Sequence, residues 1–400
     1  MTNPPTNGPL QSLKIIDFTT LLPGPFGSML MADLGADVLK VESPTRPDLV
    51  RSMPPFDGEE SAAHGMLNRS KRSIALDLKH KAARKIIGEL IGNYDILLEQ
   101  FRPGVMQRLG LDYETLRQIN PKLIYCSITG YGQTGPYRDK AGHDINYLSL
   151  SGLMSYTGRK DSGPLPLGTQ VADIAGGSYH AVMGILAAVI HRQMTGEGQS
   201  IDISMTDTAI AMNAFAAPQY LIGKELPERE NMLLNGGSFY DFYQTKDGRF
   251  LSVGSLESKF LKKFCELIGQ PGLWKQAAIQ KPAIQEEVKQ TIQQILRQKE
   301  LKDWLDIFGN HDICVEPVLS LEEMVEHPQT KAREMIIPVP KNDQSYQLQV
   351  ACPIKFSHTK ANYQHVGPSV GAHTLEVLES LGYASEDISQ FQEAGLFGPR

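Results

Sequence analysis

The chain has 400 residues, 41% of them hydrophobic and 21% charged, the balance of an ordinary globular protein with ample chain for a full core. At about 150 residues per domain it is long enough for two to three domains. Its net charge of −6 does not favour non-specific nucleic-acid binding, although a local basic pocket is enough to take an anion.

The elements are predicted as follows. Residues 1–9 are rich in Pro and polar groups and are expected to be loosely attached or disordered. No basic region followed by an apolar run is present there, so no signal peptide is expected. Residues 13–18 read as a buried strand, broken by Pro23-Gly24-Pro25. A short helix over 26–34 ends at Gly35, and a second strand over 38–41 ends at Glu42. Residues 73–76 are strand-like, 81–93 form an amphipathic helix, and 95–99 form a further strand. A helix over 113–119 precedes an apolar strand over 123–129. This β-α alternation predicts a parallel sheet covered by helices.

Asp173 opens a long helical pattern running to Met194 and closed by Thr195-Gly196-Glu197-Gly198. Its most apolar part, 181–190, is too short to span a bilayer, and no membrane attachment is expected. A strand over 200–204 and a helix from Met205 follow. Residues 223–237 are polar and read as a linker. A second unit then begins with a hairpin, 239–244 and 250–253, around Asp247-Gly248, and continues with charged amphipathic helices. The tail, 354–400, holds a last helix near 373–382.

Cys126, Cys265, Cys314 and Cys352 are widely spaced, without C-x-x-C, and read as reduced thiols of a cytoplasmic protein. The ten His residues show no metal-ligand spacing, so no metal site is expected. No G-x-S-x-G occurs, which argues against an α/β-hydrolase. The first βα turn lacks G-x-G-x-x-G, which argues against a dinucleotide, although a helix N-terminus there can still offer amides to an anion.

The most informative stretch is Ala141-Gly142-His143-Asp144-Ile145-Asn146-Tyr147, with Asp173 thirty positions beyond His143. A His and a carboxylate are the side chains best suited to trading a proton near neutral pH. Placed on either side of a carbon, they can remove a proton from one face and return it to the other. The structural alternative for such a pair is a cap or a hydrogen-bonded loop group. His180, seven residues after Asp173, reads as a core or supporting residue. Gly176 and Gly177 are expected to clear side chains from the path of a ligand. Basic groups gather in the first part of the chain: Lys40, Arg46, Arg51, Arg69, Lys71, Arg72, Lys79, Arg102 and Arg108. Several fall at strand ends, where a polyanion with several phosphates would suit them. Glu257 follows the second hairpin strand and reads either as a helix-start acid or as a partner for a catalytic His.

Taken together, Leu22-Pro-Gly-Pro-Phe-Gly27, Ala32-Asp-Leu-Gly-Ala-Asp37 leading to Glu42, Asn68-Arg-Ser-Lys-Arg72 leading to Lys79, Phe101-Arg-Pro-Gly104, Gly130-Tyr-Gly-Gln-Thr-Gly-Pro136 and Thr195-Gly-Glu-Gly-Gln199 resemble the family III CoA-transferase (CaiB/BaiF) and alpha-methylacyl-CoA racemase superfamily. The resemblance covers nearly the whole chain. It implies an α/β fold with a Rossmann-like parallel-sheet large domain (1–225), a smaller α+β domain (230–330), and a C-terminal segment (331–400) returning to the large domain. It also implies an interlocked homodimer acting on an acyl-CoA, with no separate cofactor. Two chemistries compete within the superfamily. Transferase-like members use one Asp, matched by Asp173, as a nucleophile. Racemase-like members add a His in a Gly-His-Asp-Ile-Asn-Tyr motif, matched by His143, and a small-domain Glu, matched by Glu257. All three positions are filled, so the resemblance points to the racemase subgroup. The implied substrate-binding set is Lys40, Leu76, Leu78, Lys79, Arg102, Arg108, Gly142, Asp144 and Tyr147. Where relatives often carry an Arg after the second strand, this chain has Ser43. A Met-and-aromatic acyl pocket is expected from Met154, Phe215, Met232 and Leu233.

Overall fold

The structure, a computed structural model, describes residues 8–398; the expected loose segment at 1–7 lies outside them. Residue 8 is already packed, because the turn after it is pinned by the Leu10 N–H donating to Leu34 O at 2.9 Å. The chain divides into two compact units, one of 8–150, 168–211 and 329–398, the other of 151–167 and 212–328.

Six strands make the first unit's sheet: β1 (Lys14–Asp17), β2 (Asp37–Glu42), β3 (Arg72–Ala75), β4 (Ile96–Glu99), β5 (Ile124–Thr129) and β6 (Ser200–Ser204). All pairings are parallel, and the order across the sheet is β3-β2-β1-β4-β5-β6. Strands such as Ile124–Thr129 are buried along their whole length, so they read in sequence as apolar runs rather than alternations. The strand order reverses between β1 and β4. At such a switch point the connections diverge to opposite faces and leave a crevice beyond the carboxyl ends of the strands.

Helix α1 (Pro23–Asp33) starts with two prolines in its first turn, where a missing N–H costs nothing. Helix α2 (Lys81–Ile91) buries Ala83, Ile86, Ile87, Leu90 and Ile91, the spacing of a single helical face. Full burial of each of those Ile or Leu side chains contributes about 1.5–3 kcal/mol before entropy is counted. They pack on Ile16, Leu39 and Ile74 of the sheet. Introducing a charge at Ile87 would break that layer. Helices α3 (Val105–Leu109) and α4 (Asp144–Leu150) follow β4 and β5.

A π-helical segment, Ala172–Tyr179, runs directly into α5 (His180–Thr195). The expected apolar run of 181–190 is thus part of a longer helix, Ala172–Thr195, which by length and composition alone could cross a bilayer. In this fold Ala172, Gly176, Gly177, Ala181, Ile185 and Ala188 are buried within the unit. Helix α6 (Met205–Ala211) completes this part.

The second unit has an antiparallel sheet of β7 (Asp241–Gln244), β8 (Phe250–Val253) and β9 (Val315–Pro317). Its core joins Tyr243, Leu251 and Val253 to the apolar faces of α7 (Ser258–Leu267), α8 (Pro282–Leu296) and α9 (Leu301–Phe308). The stretch 223–237, read from sequence as a linker, is pinned within this unit. Glu230 and Asp241 both pair with Arg159, at 2.9 and 2.6 Å, and Asn235 Nδ2 donates to Glu228 O and Tyr156 O. Arg159 lies in 151–167, a segment whose place in this unit nothing in the sequence foretold.

The chain then returns to the first unit with the ribbon β10 (Ile336–Pro340) and β11 (Tyr346–Val350) and helices α10 (Thr374–Ser380) and α11 (Ser385–Glu393). Val377, Leu378 and Ile388 from this tail share the core of Ile16, Leu39 and Ile87.

Candidate active site

A cavity of about 310 Å3 lies at the switch point. The turn after β1 supplies Leu21 and Pro23, and the turn after β4 supplies Gln100, Phe101, Arg102 and Pro103. The segment after β5 supplies Tyr131, Arg138, Lys140, Gly142, His143 and Tyr147, and the π-helical segment supplies Asp173.

Local chemistry locks the His143 segment. The His143 N–H donates to Asn146 Oδ1 at 3.0 Å, and the His143 carbonyl accepts the N–H groups of Asn146 and Tyr147 at 2.8 and 3.3 Å. The Tyr147 hydroxyl donates to Gly142 O at 2.5 Å. Tyr147 meets Tyr131 edge to face, with ring centroids 5.2 Å apart. A Cβ on Gly142 would lie 2.7 Å from the Tyr131 hydroxyl, and one on Gly130 would lie 2.3 Å from the Tyr147 ring. Glycine at both positions therefore lets the tyrosines close over the turn, while the His143 side chain stays exposed.

Asp173 stands in the first turn of its helix, half-buried, and its N–H donates to Asp144 Oδ1 at 3.0 Å. Burial, then the negative charge of Asp144, pushes the Asp173 carboxyl up to about 6, against the pull of His143. A carboxyl of that strength can take or give a proton near neutrality. Burial and the nearby Asp173 charge push the Tyr147 phenol up to about 12, so it stays protonated at neutral pH. His180 Nδ1 hydrogen-bonds Ala175 O at 2.6 Å, inside its own helix, which fits a supporting role.

The cavity thus brings together His143, Asp173, Arg102, Gly142 and Tyr147, with Asp144 directly behind Asp173. Other expected residues lie elsewhere. Lys40 does not offer its charge to a ligand: its ammonium is buried, donating to Thr19 O at 2.8 Å and pairing with Asp48 at 3.2 Å. The Leu76 side chain is fully buried in the core and does not face a ligand, and the partly buried Leu78 packs against the same cluster. Much of the basic cluster is likewise structural. Arg69 makes a two-pronged pair with Asp33 at 2.8 and 2.6 Å, Lys71 pairs with Asp17 at 3.2 Å, Arg51 with Glu42 at 2.6 Å and Arg72 with Asp37 at 2.8 Å. The fully buried charges of Arg69 and Lys71 are kept by their partners and cannot be lent to a phosphate. Lys79 and Arg108 remain exposed, outside the cavity lining.

Two further expectations are revised, for the start of α1 and for Gly176 and Gly177. The amide at the start of α1 is not open to an anion, because the Gly24 N–H donates to Gln100 Oε1 at 3.1 Å and Pro23 and Pro25 have no N–H. The amide of Asp173 is taken by Asp144. Gly176 and Gly177 serve packing: Cβ atoms there would lie 2.6 Å from Thr208 Oγ1 and 2.9 Å from Pro23 Cβ. Sequence reasoning missed Gln100, Tyr131, Arg138 and Lys140. Gln100 joins the two turns of the switch point, since its Nε2 also donates to Thr20 O at 2.7 Å. The pair Arg138 and Lys140, so close before His143, was the available signal.

Glu257 belongs to the second unit, exposed at the N-cap of α7 without a side-chain capping bond. Phe215, Met232 and Leu233 line a separate cavity of about 850 Å3 within that unit, together with Tyr156 and Leu256; Met154 does not line it.

The first unit is thus a parallel α/β sheet with a candidate site, lined by His143 and Asp173, at its switch point. The sequence profile of CoA-transferase family III matches residues 10–374. The chain is 36% identical over 385 residues to the alpha-methylacyl-CoA racemase of Homo sapiens, covering 95% of each chain. It is also 36% identical over 386 residues to the succinate–glutarate CoA-transferase of Agrobacterium fabrum, covering 93% of this chain and 96% of that one. A crystal structure of a CaiB/BaiF family protein from Brucella suis superposes with a TM-score of 0.82 at 31% identity, over 94% of this chain and 100% of that one. The chain belongs to CoA-transferase family III, the class that holds both racemases and CoA transferases.

Proposed function

We propose that the protein is an acyl-CoA racemase or epimerase that inverts the α-carbon of 2-methylacyl-CoA thioesters by two-base proton transfer. The observation that carries this is the presence of His143 and Asp173 in the lining of one small cavity. One base takes the α-proton, leaving an enolate, and the protonated partner returns a proton to the other face. Asp173, held near 6, suits both roles. Arg102 lies close enough to lower the Tyr147 phenol's pKa against its burial, and its positive potential supports the enolate oxygen. No cofactor beyond the CoA of the substrate takes part, and the enzyme works in the cytoplasm as a homodimer. An exposed apolar stripe on α5, Met183, Ile190 and Met194, supports a covering second copy. In that dimer Glu257 of one chain accepts the ring N–H of the other chain's His143 and fixes its tautomer.

A second reading is a CoA transferase in which Asp173 attacks the thioester, giving a mixed anhydride and then an aspartyl-CoA thioester. The equal identity to a succinate–glutarate CoA-transferase favours keeping it. Incubation of a single 2-methylacyl-CoA epimer in deuterated water, without any free acid, separates the two. Racemisation should bring α-deuterium and loss of optical purity. Turnover that requires an acceptor acid, with CoA moving to it, would establish the transferase instead.

A further inference from the structure

The described residues hold five buried carboxylates, and four of them carry a cation: Asp17 pairs with Lys71, Asp33 with Arg69, Glu42 with Arg51 and Asp48 with Lys40. The fifth, Glu99, has no Lys, Arg or His partner among the described residues. It closes β4, directly before the cavity-lining turn of Gln100, Phe101, Arg102 and Pro103. Its Oε2 accepts the Phe101 N–H at 2.7 Å, and the Ser127 hydroxyl donates to it as well. Glu99 stands opposite Ser127, and Ser127 opposite Asp202, so the three side chains share one face of the sheet at the carboxyl ends of β4, β5 and β6. The ionisable groups around Glu99 are Asp202 on β6 and Tyr125 and Cys126 on β5; burial pushes the phenol and the thiol up, so both stay neutral. Burial, with the charge of Asp202 adding to it, pushes the Glu99 carboxyl up to about 7, against the pull of the Ser127 and Phe101 hydrogen bonds.

A buried carboxyl without a cation destabilises the fold whenever it ionises, so packing alone does not account for it. What it holds is the main chain of the cavity wall. Resting on the acyl-CoA reading, we propose that Glu99 is a positioning residue: through the Phe101 amide its ionised carboxylate fixes the turn that carries Arg102, and so sets where that positive charge meets the thioester oxygen as the reaction makes it negative. Glu99 is buried behind the turn and outside the cavity lining, so it acts through Arg102 and not on the substrate. Gln100 ties the same turn sideways to the one after β1, through the Gly24 N–H at 3.1 Å and Thr20 O at 2.7 Å; the Phe101 N–H is the last such tie before Arg102. An N–H held by a carboxylate is bonded about twice as strongly as one held by a neutral carboxyl. Small displacements of Arg102 matter, because a charge serves a developing oxyanion best from a place it already occupies.

The test measures wash-out of label from an α-deuterated 2-methylacyl-CoA, across pH, by the natural protein, Glu99→Gln and Ser127→Ala. Gln keeps the size and an acceptor oxygen but carries no charge. The kcat of the natural protein over that of Glu99→Gln should be close to one on the acid side of the Glu99 titration and rise to about three- to ten-fold on its alkaline side. Asp173 owes its shift to burial, Asp144 and His143, so its own titration is shared by both proteins and cancels in the ratio. KM should move little, since the oxygen carries its charge only in the transition state. With Arg102→Gln in both proteins, the ratio should stay near one at every pH. Ser127→Ala removes one donor from the carboxylate and raises its pKa, so this variant should lag near neutrality and recover at higher pH. It decides the matter by itself should Glu99→Gln not fold. A ratio that does not change with pH, one that persists without Arg102, or a Ser127→Ala profile identical to the natural one overturns the proposal. If the protein exchanges no α-proton and passes CoA to an acceptor acid instead, the racemase reading fails. The same ratios, read on that transfer, still decide the proposal, because negative charge develops on the thioester oxygen there too.

Discussion

The side chain of Asp144 accepts the backbone N–H of Asp173 at 3.0 Å, so the residue after His143 holds the main chain of the other candidate base. The same carboxylate raises the Asp173 pKa, second only to burial. Asp144→Asn keeps an acceptor oxygen but removes the charge. The acid limb of the kcat/KM profile should then move to lower pH, because a lost negative neighbour makes Asp173 easier to ionise. An acid limb that stays in place would show that Asp173 is not the group titrating there.

His143→Ala should lower α-proton exchange by about 10²–10⁴-fold, the usual cost of losing one general base. A variant that retains near-normal exchange removes His143 from the chemistry. Asp173→Asn does not discriminate between the two reactions, since both need that carboxylate.

Asp173 also ties stability to pH. Its native pKa of about 6 lies above the ordinary 3.8, so the folded protein holds a proton that the unfolded chain has released. The contribution is full below pH 3.8 and is lost as pH rises through 6. Asn carries no such dependence. Asp173→Asn should therefore gain on the natural protein by on the order of 1 kcal/mol at alkaline pH relative to acid pH, allowing for partial solvent screening. Urea melts at the two extremes of pH read this directly, and a pH-independent difference would refute it.

Gly130→Ala places a Cβ where the Tyr147 ring now lies, 2.3 Å away. Overpacking of this kind costs about 1–3 kcal/mol. Because Tyr147 anchors Gly142, the thermal midpoint should fall and exchange activity should fall with it. Normal stability and activity would mean that the tyrosine can shift without consequence.

If Glu257 serves His143 of a second chain, Glu257→Gln should lower the rate while leaving the fold intact. Refolding His143→Ala together with Glu257→Ala should restore part of the activity, since one site in each mixed dimer would have both groups. A monomer by sedimentation, or no recovery on mixing, would sink the arrangement.

Some of this was determined by the sequence alone. Apolar runs separated by helical periods are enough to specify a parallel α/β sheet, because strands covered on both faces need apolar residues throughout. The Gly142-to-Tyr147 stretch is legible for a related reason: its bonds run among Gly142, His143, Asn146 and Tyr147, all within five positions. Tertiary structure decided what depends on distant partners. Lys40, Arg69 and Lys71 look in sequence like Arg102 or Lys79, yet Asp48, Asp33 and Asp17 bury them in ion pairs. Gly176 and Gly177 look like room for a ligand, but Thr208 and Pro23 fill the space beside them. The strand order that opens a crevice between β1 and β4, and the return of Val377 and Leu378 to the first core, join segments far apart in the chain. A charge or a glycine has no fixed meaning until its neighbours in space are known, because burial and pairing change its free energy by more than its own chemistry does.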